Sequence, residues 1–137
     1  MNLLLNALDN ENNENIMKLT SKEINDTKIR VLSELYLDKE IAINILTELK
    51  EYIYIDEIPE IKYGSFIRWI PLSNPDNIRL TKGGIVCDLI LSKSGMSIKC
   101  KNYKNKFFVI NMDKCLIFKK LTNQEKILIS VSNYLNK

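Results

Sequence analysis

The sequence predicts an α+β fold: an N-terminal α-helical hairpin, a five-stranded antiparallel β-barrel and a C-terminal α-helix. Three observations carry this. Residues 20–58 and 122–137 repeat apolar side chains at steps of three and four, the spacing of one helix face. Residues 61–120 instead show short alternating apolar runs separated by turn residues. Capping signatures, Thr20 with Glu23 and Thr122 with Glu125, stand at the start of the first and the last helical stretch.

The organisation in chain order is an N-terminal arm or linker (1–19), the hairpin (20–58), the barrel (61–120) and a packing helix (122–137). Within the arm, residues 2–8 can form a short helix, and the Asn-rich run 9–15 is a linker. The first helix of the hairpin follows Thr20, with Ile24, Lys28, Val31, Leu32 and Leu35 on one stripe. Asp38 is the expected N-cap of the second helix. Its stripe runs Ile41, Ala42, Ile45, Leu46, Leu49, Tyr52 and Ile53, about four turns, and Pro59 ends it. A DNA-reading helix-turn-helix would need basic and amide residues on that second helix. Asp38, Glu40, Glu48 and Glu51 outnumber Lys39 and Lys50 there, so the pattern is that of a packing hairpin.

The strands follow. Gly64–Ile70 is the first, and residues 71–82 form a polar loop. Gly83-Gly84 opens the second, where Ile85, Cys87, Leu89 and Leu91 are expected on one face. Ser94-Gly95 turns into a strand in which Met96, Ile98 and Cys100 alternate with Ser97, Lys99 and Lys101. Residues 102–105 turn again before Phe107–Met112, and Cys115–Phe118 is the fifth strand. Ile67, Val86 or Ile85, Ile98, Val109 and Ile117 are the expected interior. On the last helix Ile127, Leu128, Val131, Tyr134 and Leu135 supply the apolar face.

Five short strands joined by tight turns suit a closed barrel, because closure removes exposed edges. The segments YGSFIRWI (63–70) and LTKGGIV (80–86) resemble the first two strands of SH3-like barrels of the Tudor and KOW kind. The resemblance covers residues 61–120 and brings no catalytic motif. Tudor-type members hold methylated side chains in an aromatic cage by cation–π attraction. By that resemblance Trp69, Tyr63, Phe107 and Phe108 are cage candidates, and core positions otherwise. The whole arrangement also resembles uncharacterised small proteins of large DNA viruses of protists.

Composition limits function. Ile, Lys and Asn make up 53 of 137 residues against two Ala, the signature of an A/T-rich genome, which lowers the meaning of lysine counts. The net charge of +3 hides an asymmetry: residues 1–60 carry −7 and residues 61–137 carry +10. Either the two halves attract each other, or the basic half meets a polyanion. No histidine is present, which removes the commonest general base and metal ligand. Cys87, Cys100 and Cys115 form no C-x-x-C pair and no disulfide framework. The glycine pair before a strand is a turn and not a phosphate cradle. No enzyme active site, metal site or cofactor is therefore expected. The start MNLLLNALDN lacks a signal-peptide flank, and no apolar run has the length of a membrane span, so an intracellular protein (virion or host cytoplasm, if viral) is expected.

One local constellation points to recognition. Lys99, Lys101, Tyr103, Lys104 and Lys106 surround a hairpin tip, and Arg68, Arg79 and Lys82, with Lys119 and Lys120, can extend the patch. Lysines attract phosphates and an exposed aromatic stacks on a base. Lysines on hairpin edges also block edge-to-edge aggregation. The expected function is a non-enzymatic binding or scaffolding module, a structural or assembly component with protein partners. Nucleic-acid binding through the basic barrel surface is the alternative. Neither a membrane nor a small-molecule substrate is indicated.

Overall fold

A computed structural model describes residues 19–57 and 60–136. The expectations for residues 1–18 and for Pro59 as a helix stop lie outside these. The chain divides into two compact units, one of residues 1–53 with 121–137 and one of residues 54–120.

The first unit is helical. Helix α1 (Ser21–Ser33) starts at Thr20, whose hydroxyl oxygen accepts from the Glu23 N–H at 3.3 Å. The Thr20 hydroxyl also donates to the Glu23 carboxylate at 3.0 Å, so the reciprocal half of the box is made between side chains. Ile24, Lys28, Val31 and Leu32 are buried along the expected stripe, and Leu35 is half-buried beyond the helix end. Tyr36 follows with φ 52°, a left-handed conformation unusual for a side chain of its size. Helix α2 (Lys39–Glu48) begins after Asp38, which makes no side-chain cap bond. Only Ile45 of α2 is fully buried, and Leu46 is half-buried. The helix ends at Glu48 with Leu49 as its C-cap, short of the expected continuation of the stripe through Tyr52 and Ile53. Those two residues open strand β1 (Tyr52–Ile55) instead. The alternation of aromatic and β-branched residues in YIYI favours a pleated strand over a helix. Helix α3 (Asn123–Leu135) carries a complete capping box: the Thr122 oxygen accepts from the Glu125 N–H at 3.1 Å, and Glu125 Oε1 accepts from the Thr122 N–H at 2.9 Å. It buries Glu125, Leu128, Ile129 and Ser132. Tyr134 and Leu135, expected inside, are exposed at the last turn. Asn133 ties α3 to the start of α1, accepting from the Ser21 N–H at 2.9 Å and donating to its hydroxyl at 2.8 Å.

The second unit is a sheet. β2 (Phe66–Pro71), β3 (Gly84–Ser92), β4 (Gly95–Lys101), β5 (Phe107–Asn111) and β6 (Cys115–Lys120) correspond to the five expected strands. With β1 they make one six-stranded sheet in the order β1-β6-β2-β3-β4-β5. Neighbouring strands from β6 to β5 are antiparallel, and a single 3₁₀ turn (Met112–Lys114) separates β5 from β6. Among the described residues the sheet therefore has six strands rather than five, and it is open, ending at β1 and β5, where a closed barrel is expected. Ile67, Ile70, Val86, Ile98, Cys100, Ile117 and Phe118 are essentially inaccessible, and the Tyr54 ring lies 5.7 Å from that of Phe118. Gly83, at φ +86°, lets β3 start against β2: a Cβ there would collide with the Ile67 carbonyl oxygen.

Two expectations for this core are corrected. Val109 is exposed, not interior. Ile85, Cys87, Leu89 and Leu91 do not share a buried face: Ile85, Cys87 and Leu91 are exposed and Leu89 is half-buried. A register shift between Val86 and Asp88 is the cause. An extra residue at such a bulge reverses the alternation, so Val86 faces the core before it and Leu89 turns toward Ile98 after it.

Candidate functional site

The hairpin between β4 and β5 is fixed by its own backbone. Asn102 Oδ1 accepts from the N–H groups of Lys104 (3.0 Å) and Lys106 (2.9 Å), and the Asn102 N–H donates to the Lys106 carbonyl at 2.9 Å. Asn105 takes φ 61°, which asparagine tolerates better than most residues. The tip therefore holds Tyr103 and Lys104 outward in a defined turn. Tyr103 is 71% exposed. Lys82 Nζ lies 5.9 Å from its ring centre and Lys104 Nζ 5.6 Å, so two ammonium groups flank one ring.

The register places the strand lysines. Ile85, Lys101 and Phe107 are opposite one another across β3, β4 and β5, and Asp88, Lys99 and Val109 form the next row. Directly opposed residues in antiparallel strands lie on one face, so Lys99 and Lys101 share a face, as their spacing predicts. Around them are apolar side chains: Ile85 (47% exposed), Phe107 (57%) and Val109 (60%). Lys99 Nζ sits 4.8 Å from the Phe107 ring centre, which carries its charge from β4 to the edge strand β5. Asp88 opposite Lys99 is the carboxylate that this register brings into the face.

The opposite face of β4 and β5 carries Cys100 and Phe108, and borders a cleft of about 300 Å³ lined by Trp69, Thr81, Lys82, Gly83, Asn102, Tyr103 and Phe108. Thr81 fixes its wall: its hydroxyl oxygen accepts from the Trp69 N–H at 3.2 Å, and its N–H donates to the Trp69 carbonyl at 3.0 Å. The cleft gathers Trp69 and Phe108 but neither Tyr63 nor Phe107, so the four-residue cage suggested by the Tudor resemblance does not assemble. Phe107 belongs to the other face, and the Lys82 ammonium stands over Tyr103, where it would repel a methylated cation.

The remaining patch residues separate. The half-buried Arg68 donates from Nε to the Thr81 carbonyl at 2.7 Å and so anchors the loop before β3. Arg79 is exposed on that loop, without the ring contacts of the tip lysines. Lys119 is buried on β6, while Lys120 is exposed at the end of that strand. Lys106 is exposed at the entry to β5. The sites that the residues bring together are therefore Lys82, Tyr103 and Lys104 at the tip, and Lys99 and Lys101 with Phe107 on the face. Ile85 and Val109 join that face against expectation: Val109 is an expected core position and Ile85 the alternative to Val86 for another. The consecutive apolar run Phe107–Ile110 was the available signal, since a strand that is apolar on both sides either lies in a double-sided core or exposes one side.

The thiols offer no reactive group in the core. Burial, with a smaller contribution from Cys87, pushes Cys100 up to about 12, and burial also raises Cys115. Both hold their protons at neutral pH, and a protonated thiol is a poor nucleophile and ligand. Among the described residues no three His, Cys, Asp or Glu side chains group as a metal site, and no helix is long and apolar enough to cross a membrane. Comparison with protein-family models, curated proteins and solved structures found no match to this chain.

Proposed function

We propose that this protein is a non-enzymatic binding module, a scaffolding or assembly component, that recognises a protein partner through the outer face of β3, β4 and β5. The observation that carries the reading is the mixture on that face: Phe107, Val109 and Ile85 stand exposed around Lys99 and Lys101. Exposed apolar groups that cluster within a polar rim mark interaction surfaces, and a partner that buries them recovers about 25 cal/mol for each Å² of apolar area. The strand order β6-β2-β3-β4-β5, with a 3₁₀ turn before the strand that returns beside the first, supports an SH3-like class for this unit. The resemblance to small proteins of large DNA viruses would put such a module in a virion or in the host cytoplasm.

The test compares the wild type with a Phe107→Ser, Val109→Ser double variant as immobilised baits in host lysate, by quantitative mass spectrometry after nuclease treatment. Protein partners retained by the wild type and lost by the variant are expected. Retention that disappears with nuclease would transfer the function to nucleic acid.

That second reading has its own observation, the exposed Tyr103 ring between Lys82 and Lys104. A base can stack on the ring while the ammonium groups meet phosphates. Binding would then fall steeply with salt, and each lysine removed would lower the log–log slope by about one unit.

A further inference from the structure

We infer that β5 is a docking strand, and that its occupant is an extended, acidic segment of a partner protein that pairs with it as an added strand. This rests on the recognition face proposed above and names the partner's form and chemistry.

The first argument is the backbone. Among the described residues the sheet ends at β5, which has β4 on one side and no strand on the other. The Asn102 N–H to Lys106 carbonyl bond shows which residues turn their peptide groups toward β4. Antiparallel pairing alternates, so Phe108 and Ile110 continue that set, and Phe107, Val109 and Asn111 turn theirs outward. The same three residues place their side chains on the lysine face. An added strand would thus take up an amide ladder and meet Phe107 and Val109 at once.

The second argument is the absence of edge protection. Sheet edges are commonly blunted by proline, a bulge or a charge within the strand. Phe107-Phe108-Val109-Ile110-Asn111 contains no proline or charged residue, and its pairing with β4 runs without a register shift. Three consecutive large apolar residues are exposed on it.

Charge then selects the occupant. Lys99, Lys101, Lys104 and Lys106 lie around the Phe107 end, and Lys99 reaches the edge over the Phe107 ring. At the other end Asp113 faces Gly95, 2.8 Å from where a Cβ would stand. The favoured segment therefore carries its carboxylates opposite Phe107 and not opposite Asn111. A second copy of this chain fits poorly, since two β5 edges would bring two sets of lysines onto one continuous face. A nucleic acid satisfies the lysines but offers no amide ladder to the outward peptide groups.

Fluorescence anisotropy of the full chain with a labelled peptide alternating glutamate and valine tests this. We expect binding about 10-fold tighter than that of the same peptide with lysine for glutamate, a difference of about 1.4 kcal/mol. N-methylation of alternate peptide amides should weaken it by about 10-fold or more. Val109→Pro should do the same, because an edge strand tolerates proline where its N–H faces outward. If that variant misfolds by circular dichroism, the N-methylated peptide decides alone. Equal binding of the methylated peptide, or of the lysine peptide, would overturn the inference. So would a dimer in sedimentation that Val109→Pro dissociates, or displacement of the peptide only by oligothymidylate. Loss of protein partners from the Phe107→Ser, Val109→Ser bait together with indifference to N-methylation would leave the recognition face standing and remove strand pairing.

Discussion

The helical unit and the sheet unit differ in where most of their lysines and carboxylates do their work. The helical unit buries charge and ties it down. Lys28, 2% exposed, donates from Nζ to the Leu49 carbonyl at 2.8 Å. Glu125, 1% exposed, closes the α3 capping box. Burying such groups is costly unless they are paired, and here each has a bond that stitches one element of the unit to another or fixes a helix end. The sheet unit keeps an interior of Ile67, Ile70, Val86, Ile98, Ile117 and Phe118, and leaves Ile85, Tyr103, Phe107 and Val109 outside beside five lysines. Charged groups inside a unit are serving the fold. Lysines and aromatics left together outside serve the fold very little, and that contrast is what directs attention to β3, β4 and β5 as the place where the chain meets something else.

The contrast breaks first at the sheet core. Phe118→Ala should cost about 3–5 kcal/mol, the range for removing a buried aromatic side chain. Urea unfolding would read it, and a cost under about 1 kcal/mol would mean that the interior of the sheet unit is loosely held.

The buried charges of the helical unit come next. Glu125→Ala removes the acceptor of the Thr122 N–H and should cost about 1–2 kcal/mol. Glu125→Gln keeps that acceptor, as glutamine serves the same position in capping boxes, and should recover most of the loss. Equal destabilisation by both variants would show that the carboxylate's charge, and not the cap, holds Glu125 inside.

Lys28 gives a smaller effect that is read against pH. Burial lowers its pKa from the ordinary 10.5. Between the lowered value and 10.5 the unfolded chain holds the proton and the folded chain does not. Stability from this group therefore rises with pH across that window and is flat below it, where both states are charged. Wild type minus Lys28→Met stability, followed by thermal unfolding from neutral pH to above 10.5, should increase toward the alkaline end. A difference that falls with pH would mean that the bond to the Leu49 carbonyl outweighs burial in setting the protonation of Lys28.

Much of both units is legible in the chain before any coordinates. The α1 stripe, including Lys28 among its apolar neighbours, the second capping box, and the interior positions Ile67, Ile98 and Ile117 follow from spacing alone, whereas spacing leaves Val86 and Ile85 as alternatives and the pairing decides for Val86. What escapes has physical causes. Tyr52 and Ile53 continue the α2 spacing by coincidence, and the strand they open is decided by partners far along the chain. The Val86/Asp88 bulge inverts a face without leaving a mark in composition. Along Phe107–Ile110 every residue is apolar, so alternation says nothing about which side is inside, and only the pairing with β4 exposes Val109. At the site, Lys99 and Lys101 are assigned to one face by period two. The approach of Lys82 to Tyr103, and the diversion of Arg68 to the Thr81 carbonyl, depend on how loop 72–82 returns, which no local spacing encodes.

The smallest expected effect is the sharpest form of the comparison, because it repeats the substitution made in the core. Phe107→Ala removes the same ring as Phe118→Ala, also from a strand of the same sheet. Phe107 is 57% exposed, and the Lys99 ammonium stands 4.8 Å from its ring centre. An exposed cation–π pair contributes about 0.5–1 kcal/mol, and the ring's partial burial against the strand surface adds little. Alanine is also a poorer strand residue than phenylalanine. The total should stay within about 1 kcal/mol, several-fold below the core variant, with the circular dichroism spectrum unchanged. In the anisotropy assay the order should reverse: Phe107→Ala should weaken peptide binding while leaving the fold intact. A cost for Phe107→Ala that approaches that of Phe118→Ala would make the ring a structural one, packed by contacts that its exposure does not suggest, and the outer face would lose its claim to be kept for a partner.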